Sequence, residues 1–140
     1  MKFKYLDDIA TADIALMAEG STLEEAFSNA ALGMFNIITS SVKKIKIESE
    51  KYVKIESEDL RSLLYDWLDK LLFYWDTEGL VFSKYDIKIS KNEKYELVGY
   101  VFGGKPKIHE IDRSIKAVTY HMMNIEKKGK KYVIRVVFDL

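Results

Sequence analysis

The apolar positions of this chain repeat first with a strand period, then a helix period, and keep switching to the end. Ile14-Ala15-Leu16-Met17-Ala18 is a short apolar run closed by Gly20, which predicts a strand and a turn. From there the spacing widens to threes and fours. Leu23, Ala26, Phe27, Ala30, Met34, Ile37 and Ile38 make one stripe, and the expected helix runs from about 23 to 38. Thr22 is placed to cap it, with Glu25 three residues on to reach back to the Thr22 backbone N–H. A second stripe, Leu60, Leu63, Leu64, Trp67, Leu68, Leu71 and Leu72, predicts a helix over 58–76. Ser57 is its expected cap, Glu58 and Asp59 complement its dipole, and Gly79 lies just past its end.

The remaining segments read as strands. Met1 to Tyr5 is short and mixed, an edge strand. Val42 to Ser57 predicts two strands around Glu48-Ser49-Glu50, with lysines on a solvated face. Leu80–Ser90 and Lys94–Phe102 form a hairpin around Lys91-Asn92-Glu93, and Gly103 to Pro106 is a loop. Ile115–Ile125 and Tyr132–Asp139 form a second hairpin turning at Lys128-Gly129. The economical packing is α+β: two layers, a mostly antiparallel sheet with both amphipathic helices on one face.

Composition narrows the function classes. The 140 residues suit one domain, 1–140, and 48% apolar content argues against disorder. Lys plus Arg equals Asp plus Glu at 22 each, so bulk charge gives no sign of nucleic-acid binding. The absence of cysteine excludes disulfides and thiolate metal sites. No apolar run approaches the roughly 20 residues of a membrane span, and no signal-peptide core opens the chain, so a cytoplasmic location is expected.

Phosphate-cradling glycine patterns and nucleophile elbows are missing. His109 and His121 stand too far apart for a close metal pair, and Asp66 and Asp69 fit solvated helix surface. The carboxylates near the two ends are more suggestive. Asp7, Asp8 and Asp13 cluster at one end; Asp139 and the α-carboxylate of Leu140 lie at the other. Asp13 starts a strand and Asp139 ends one. Antiparallel neighbours would bring the two carboxylates to one edge. Such hard oxygen ligands suit Ca²⁺, Mg²⁺ or Mn²⁺ rather than Zn²⁺. In a strand from Ile115, Lys116, Val118 and Tyr120 share one face and Ala117, Thr119 and His121 the other. Lys116, Tyr120 and His121 are therefore candidate partner-binding residues.

Several blocks resemble the archease family. Thr11-Ala12-Asp13-Ile14, Gly20, Thr22-Leu23-Glu24-Glu25-Ala26-Phe27, Asn29-Ala30-Ala31 and Met34-Phe35 match its N-terminal signature. Asp66-Trp67-Leu68 with Leu71-Leu72, Ile115 to His121, and Val136-Val137-Phe138-Asp139-Leu140 follow in order. One departure is Ala10, where the family usually has His before Thr-Ala-Asp. The resemblance implies a divalent cation, Ca²⁺ by family precedent, held by Asp13, Asp139 and Leu140. It also implies a non-enzymatic accessory role. The expected partner is the GTP-dependent tRNA-splicing RNA ligase, whose guanylation and multiple turnover the family promotes, with tRNA met only indirectly. A chaperone-like role toward a tRNA cytosine methyltransferase is the alternative. An autonomous hydrolase using the Asp13–Asp139 pair is a third reading, without a substrate-pocket signature to support it.

Overall fold

The computed structural model describes residues 2–6 and 12–140. Expectations resting on Asp7, Asp8, Ala10 and Thr11 lie outside the described residues. The elements in chain order are β1 (Phe3–Tyr5), β2 (Asp13–Gly20), α1 (Leu23–Ile38), β3 (Ser49–Ser57), α2 (Leu60–Glu78), β4 (Val81–Lys91), β5 (Tyr95–Gly104), β6 (Ala117–Lys128) and β7 (Lys131–Asp139). The expected α+β class holds, and every strand pairing is antiparallel. The strands divide into two sheets rather than one. A four-stranded sheet runs β1-β2-β7-β6 and a three-stranded sheet runs β3-β5-β4. The helices pack against both: α1 chiefly on β2 and β4, α2 chiefly on β6 and β3. One continuous apolar core results.

Helix α1 has the expected bounds. Its N-cap Thr22 accepts the Glu25 N–H at 3.0 Å. Glu25 does not close a capping box on Thr22. It reaches one residue further, to the N–H and hydroxyl of Ser21, both at 3.3 Å. A longer side chain can satisfy either N–H, and Ser21 adds a second donor. The helix is buried on nearly all sides because sheets flank it, which explains its small residues Ala26, Ala30, Ala31 and Gly33. A methyl group at Gly20 would sit 2.4 Å from the Ala26 nitrogen, and one at Gly33 would sit 2.7 Å from the Leu16 side chain. Asn29 meanwhile donates to the Glu19 carbonyl at 2.8 Å. The helix therefore runs back along β2, and its C-terminal end returns to the end of the molecule where β2 begins.

Helix α2 starts two residues later than expected. Asp59, not Ser57, caps it, accepting the Ser62 N–H at 2.8 Å; that bond holds the Asp59 carboxyl below the usual carboxylate range. Ser57 ends β3 and donates its hydroxyl to Asp66 at 2.8 Å. Gly79 closes the helix in the left-handed conformation, φ +68°. The expected two strands in 42–57 are one. Val42–Lys44 is a 3-10 turn, and only Ser49–Ser57 is a strand. Val42 and Ile45 are buried while Ile47 is exposed, which is turn spacing rather than alternation.

Candidate functional site: an acidic row at one sheet edge

Alternation along β2 fixes which way Asp13 faces. Leu16 and Ala18 belong to the core, so Asp13, Ala15, Met17 and Glu19 lie on the side away from the helices. Asp13 is directly opposite Asp139, and Asp139 is directly opposite Ala117 on the next strand. The neighbouring rung carries the ladder bond, Leu140 N–H to the Ala12 carbonyl at 2.7 Å. Asp13 and Asp139 thus form a pair without mutual backbone hydrogen bonds, the kind whose facing side chains come closest. Both are half-buried, as is Leu140. Ala117 ends the row with a methyl group and leaves room beside Asp139. The next row on this face is also small to medium: Ala15, Val137 and Thr119.

Like charges directly opposite each other in a sheet repel. Carboxylate pairs of this kind are hard oxygen donors, the chemistry that divalent ions such as Ca²⁺ and Mg²⁺ take. Among the described residues no cluster of three or more His, Cys, Asp or Glu side chains occurs. The row holds two acidic side chains, Asp13 and Asp139, with Leu140 on the neighbouring rung.

The three candidate partner-binding residues occupy different settings. Lys116 is exposed and its backbone N–H donates to the Asp139 carbonyl at 2.8 Å, so it adjoins the acidic row. Val118 is buried in the core, and Tyr120 turns to the same helix side. Tyr120 stacks on Tyr65 of α2, centroids 4.3 Å apart and planes 6° from parallel. Burial, then the neighbouring Asp69, Tyr120 and Asp66, pushes the Tyr65 hydroxyl up.

Tyr120 and His121 also fall where simple alternation ends. The β6–β7 register shifts between Thr119 and Asn124, a bulge in which Met122 takes φ +56°. Two arginines hold it: Arg61 donates to the Tyr120 carbonyl at 3.4 Å and Arg135 to the Met122 carbonyl at 2.8 Å. His121 is exposed within the bulge, outside the ladder that carries the acidic row. Sequence reasoning missed Arg61, Tyr65 and Arg135, because nothing local in the sequence announces a bulge whose supports come from α2 and β7.

The chain matches the model of the Archease protein family over residues 3–140. It is 38% identical to the protein archease of Sulfolobus acidocaldarius over 141 aligned positions, covering 99% of each chain. It is 47% identical to that of Pyrococcus furiosus over 120 positions, 84% of each. The solution structure of protein 1598 from Methanobacterium thermoautotrophicum superposes with a TM-score of 0.85 at 44% identity, covering 99% of this chain and 98% of that one. A Thermotoga maritima crystal structure, described as an archease and possible chaperone, shares the fold at a TM-score of 0.62 and 21% identity, covering 94% and 93%. With a full-length family match and relatives near 40% identity over the whole chain, this protein belongs to the archease family.

Proposed function

We propose that this protein is a single-domain, non-catalytic accessory factor that activates the GTP-dependent tRNA-splicing RNA ligase, promoting its guanylation and turnover through the acidic edge. The observation that carries the reading is the register: Asp13 and Asp139, far apart in sequence, are direct cross-strand partners. Asp13, Asp139 and the Leu140 carboxylate would hold a divalent cation, Ca²⁺ by the family resemblance, with Mg²⁺ and Mn²⁺ equally hard alternatives. Bound there, such an ion would stabilise negative charge on phosphate oxygens and orient them.

The protein's own residues do the positioning. Two paired strands fix the separation of the two carboxylates, so little ordering is left to occur on docking. The Leu140 N–H bond to Ala12 pins the last rung and keeps its carboxylate at the same edge. Lys116, one bond from Asp139, sits where it would meet the partner or its nucleotide. Tyr120 and His121 would extend the contact along β6.

The test is a ligation assay with purified ligase, GTP and cleaved tRNA, with and without this protein. Stimulation that disappears in Asp13→Ala, with the variant still folded, supports the reading. Full stimulation by folded Asp13→Ala would defeat the acidic-edge mechanism and turn attention to the methyltransferase-chaperone role.

A further inference from the structure

A second charged feature lies at the same end of the molecule as the acidic row. The segment after the 3-10 turn and the segment after β5 come together although about sixty residues separate them in sequence. Glu48 N–H donates to the Gly103 carbonyl at 2.8 Å. Gly104 lies so close to this strip that a methyl group there would be 2.2 Å from the Lys46 carbonyl oxygen. Between them runs a groove of about 370 Å³, lined by Lys44, Ile45, Lys46, Glu48, Lys105, Lys107 and Glu110. The second segment then passes the end of α1, where Asp112 and Arg113 N–H groups donate to the Ile38 carbonyl, and reaches Lys116 beside Asp139.

The charge there is lopsided. Residues 43–48 and 105–113 hold six Lys and Arg but three carboxylates, in a chain that is neutral overall. All three carboxylates are engaged. Glu48 meets Lys46 at 4.0 Å, Glu110 accepts the Lys107 backbone N–H at 2.8 Å, and Asp112 accepts the Ser40 N–H at 2.8 Å. Among the described residues, Lys43, Lys44, Lys105 and Lys107 have no carboxylate within salt-bridge distance. Above the groove Ile108 is 90% exposed, an apolar side chain standing among lysines.

We infer that this groove is a docking site for the phosphodiester backbone of RNA, at the end of the molecule that also carries the acidic row. Lysine ammonium groups at successive positions on two strips suit a line of phosphates, each contact releasing counterions. A lysine-rich surface is unlike a protein–protein interface, where lysine is scarce. The groove's lysines come from two separate strips and no aromatic ring lines it, so it suits an extended polyanion better than a single stacked nucleotide. Ile108 supplies an apolar surface for a ribose or base edge.

Fluorescence anisotropy with labelled oligouridylate, in EDTA and without ligase, tests this independently of the acidic-edge reading. Wild type binds with an affinity that falls steeply with salt. The double variant K105E/K107E binds about tenfold or more weakly, and its log–log salt slope flattens by about 1.4, the value for two lost single-strand phosphate contacts. K105Q/K107Q gives a smaller loss in the same direction, and circular dichroism confirms that both variants fold. K127E/K130E, of equal charge change at the far turn of the β6–β7 hairpin, binds like wild type. No RNA binding by wild type would overturn the inference. So would equal weakening by the two charge-reversal pairs, or displacement of the RNA by oligoglutamate as readily as by unlabelled RNA of equal charge.

Discussion

The indole N–H of Trp67 donates to the backbone carbonyl of Phe27 at 3.0 Å, joining α2 to α1 inside the core. Both side chains are fully buried, and Trp67 also meets the Tyr85 ring edge-on at 5.9 Å. Trp67→Ala removes the largest buried side chain and leaves an α1 carbonyl without its partner. Denaturant unfolding should show a loss of about 3–5 kcal/mol, and a loss below roughly 1 kcal/mol would contradict this packing.

Opposed carboxylates give the acidic row a stability signature of its own. In EDTA, Asp13→Asn or Asp139→Asn should leave stability unchanged or raise it, by up to about 1 kcal/mol, because repulsion across the pair is relieved. Added Ca²⁺ should raise the thermal midpoint of wild type and not of either variant, since an ion that binds only the folded state stabilises it by mass action. Equal Ca²⁺ responses in all three proteins would remove the ion from this row.

Ligase stimulation should divide the surrounding residues by role. Asp13→Ala should abolish it with the thermal midpoint nearly unchanged. Lys116→Ala, beside but not within the donor set, should reduce it in part. Tyr120→Ala should also lower stability, because the ring stacks on Tyr65; an aromatic pair contributes about 0.5–1.5 kcal/mol beyond its buried area. Midpoints measured alongside activity separate the docking and structural contributions.

Alkaline pH should weaken the fold through partly buried tyrosines. Burial pushes the Tyr85 hydroxyl well above its ordinary value, and it donates to the Phe82 carbonyl at 2.6 Å. Tyr5 is raised too, by burial partly offset by its bond from Asn36. A raised folded value means that the unfolded chain loses its proton first. The stabilisation is complete below about pH 10, the unfolded tyrosine value, and declines as pH rises toward the folded value. The slope is up to about 1.4 kcal/mol per pH unit for Tyr85, and smaller for Tyr5, whose side chain is partly screened by solvent. Tyr85→Phe should flatten the decline in urea-unfolding stability measured from pH 9 upward.

Much of this architecture was legible because local chemistry and global packing agreed. The α1 stripe, its Thr22 cap and both hairpins are set by residues close in sequence. The 42–48 segment misled because Val42, Ile45 and Ile47 mimic alternation, while the first two are in fact one 3-10 turn apart. The division into two sheets was not legible, since it depends on which strands pair across helices. The Asp13–Asp139 opposition was reachable only by supposing that two distant strands are antiparallel neighbours. The basic groove was hidden for the same reason: lysines in two unremarkable loops become a feature only when those loops meet.

The four-stranded sheet places β7 between β2 and β6, with Asp13 paired to Asp139 across almost the whole chain. Until the β6–β7 hairpin docks on β2, the facing edges of β2 and β7 stay unpaired, which invites association with other chains. Closing so long a loop is entropically slow, so the β6–β7 hairpin is expected to join β2 late in folding. The acidic row therefore exists only in molecules that have completed the sheet, and a partner that recognises it selects finished copies over half-folded ones.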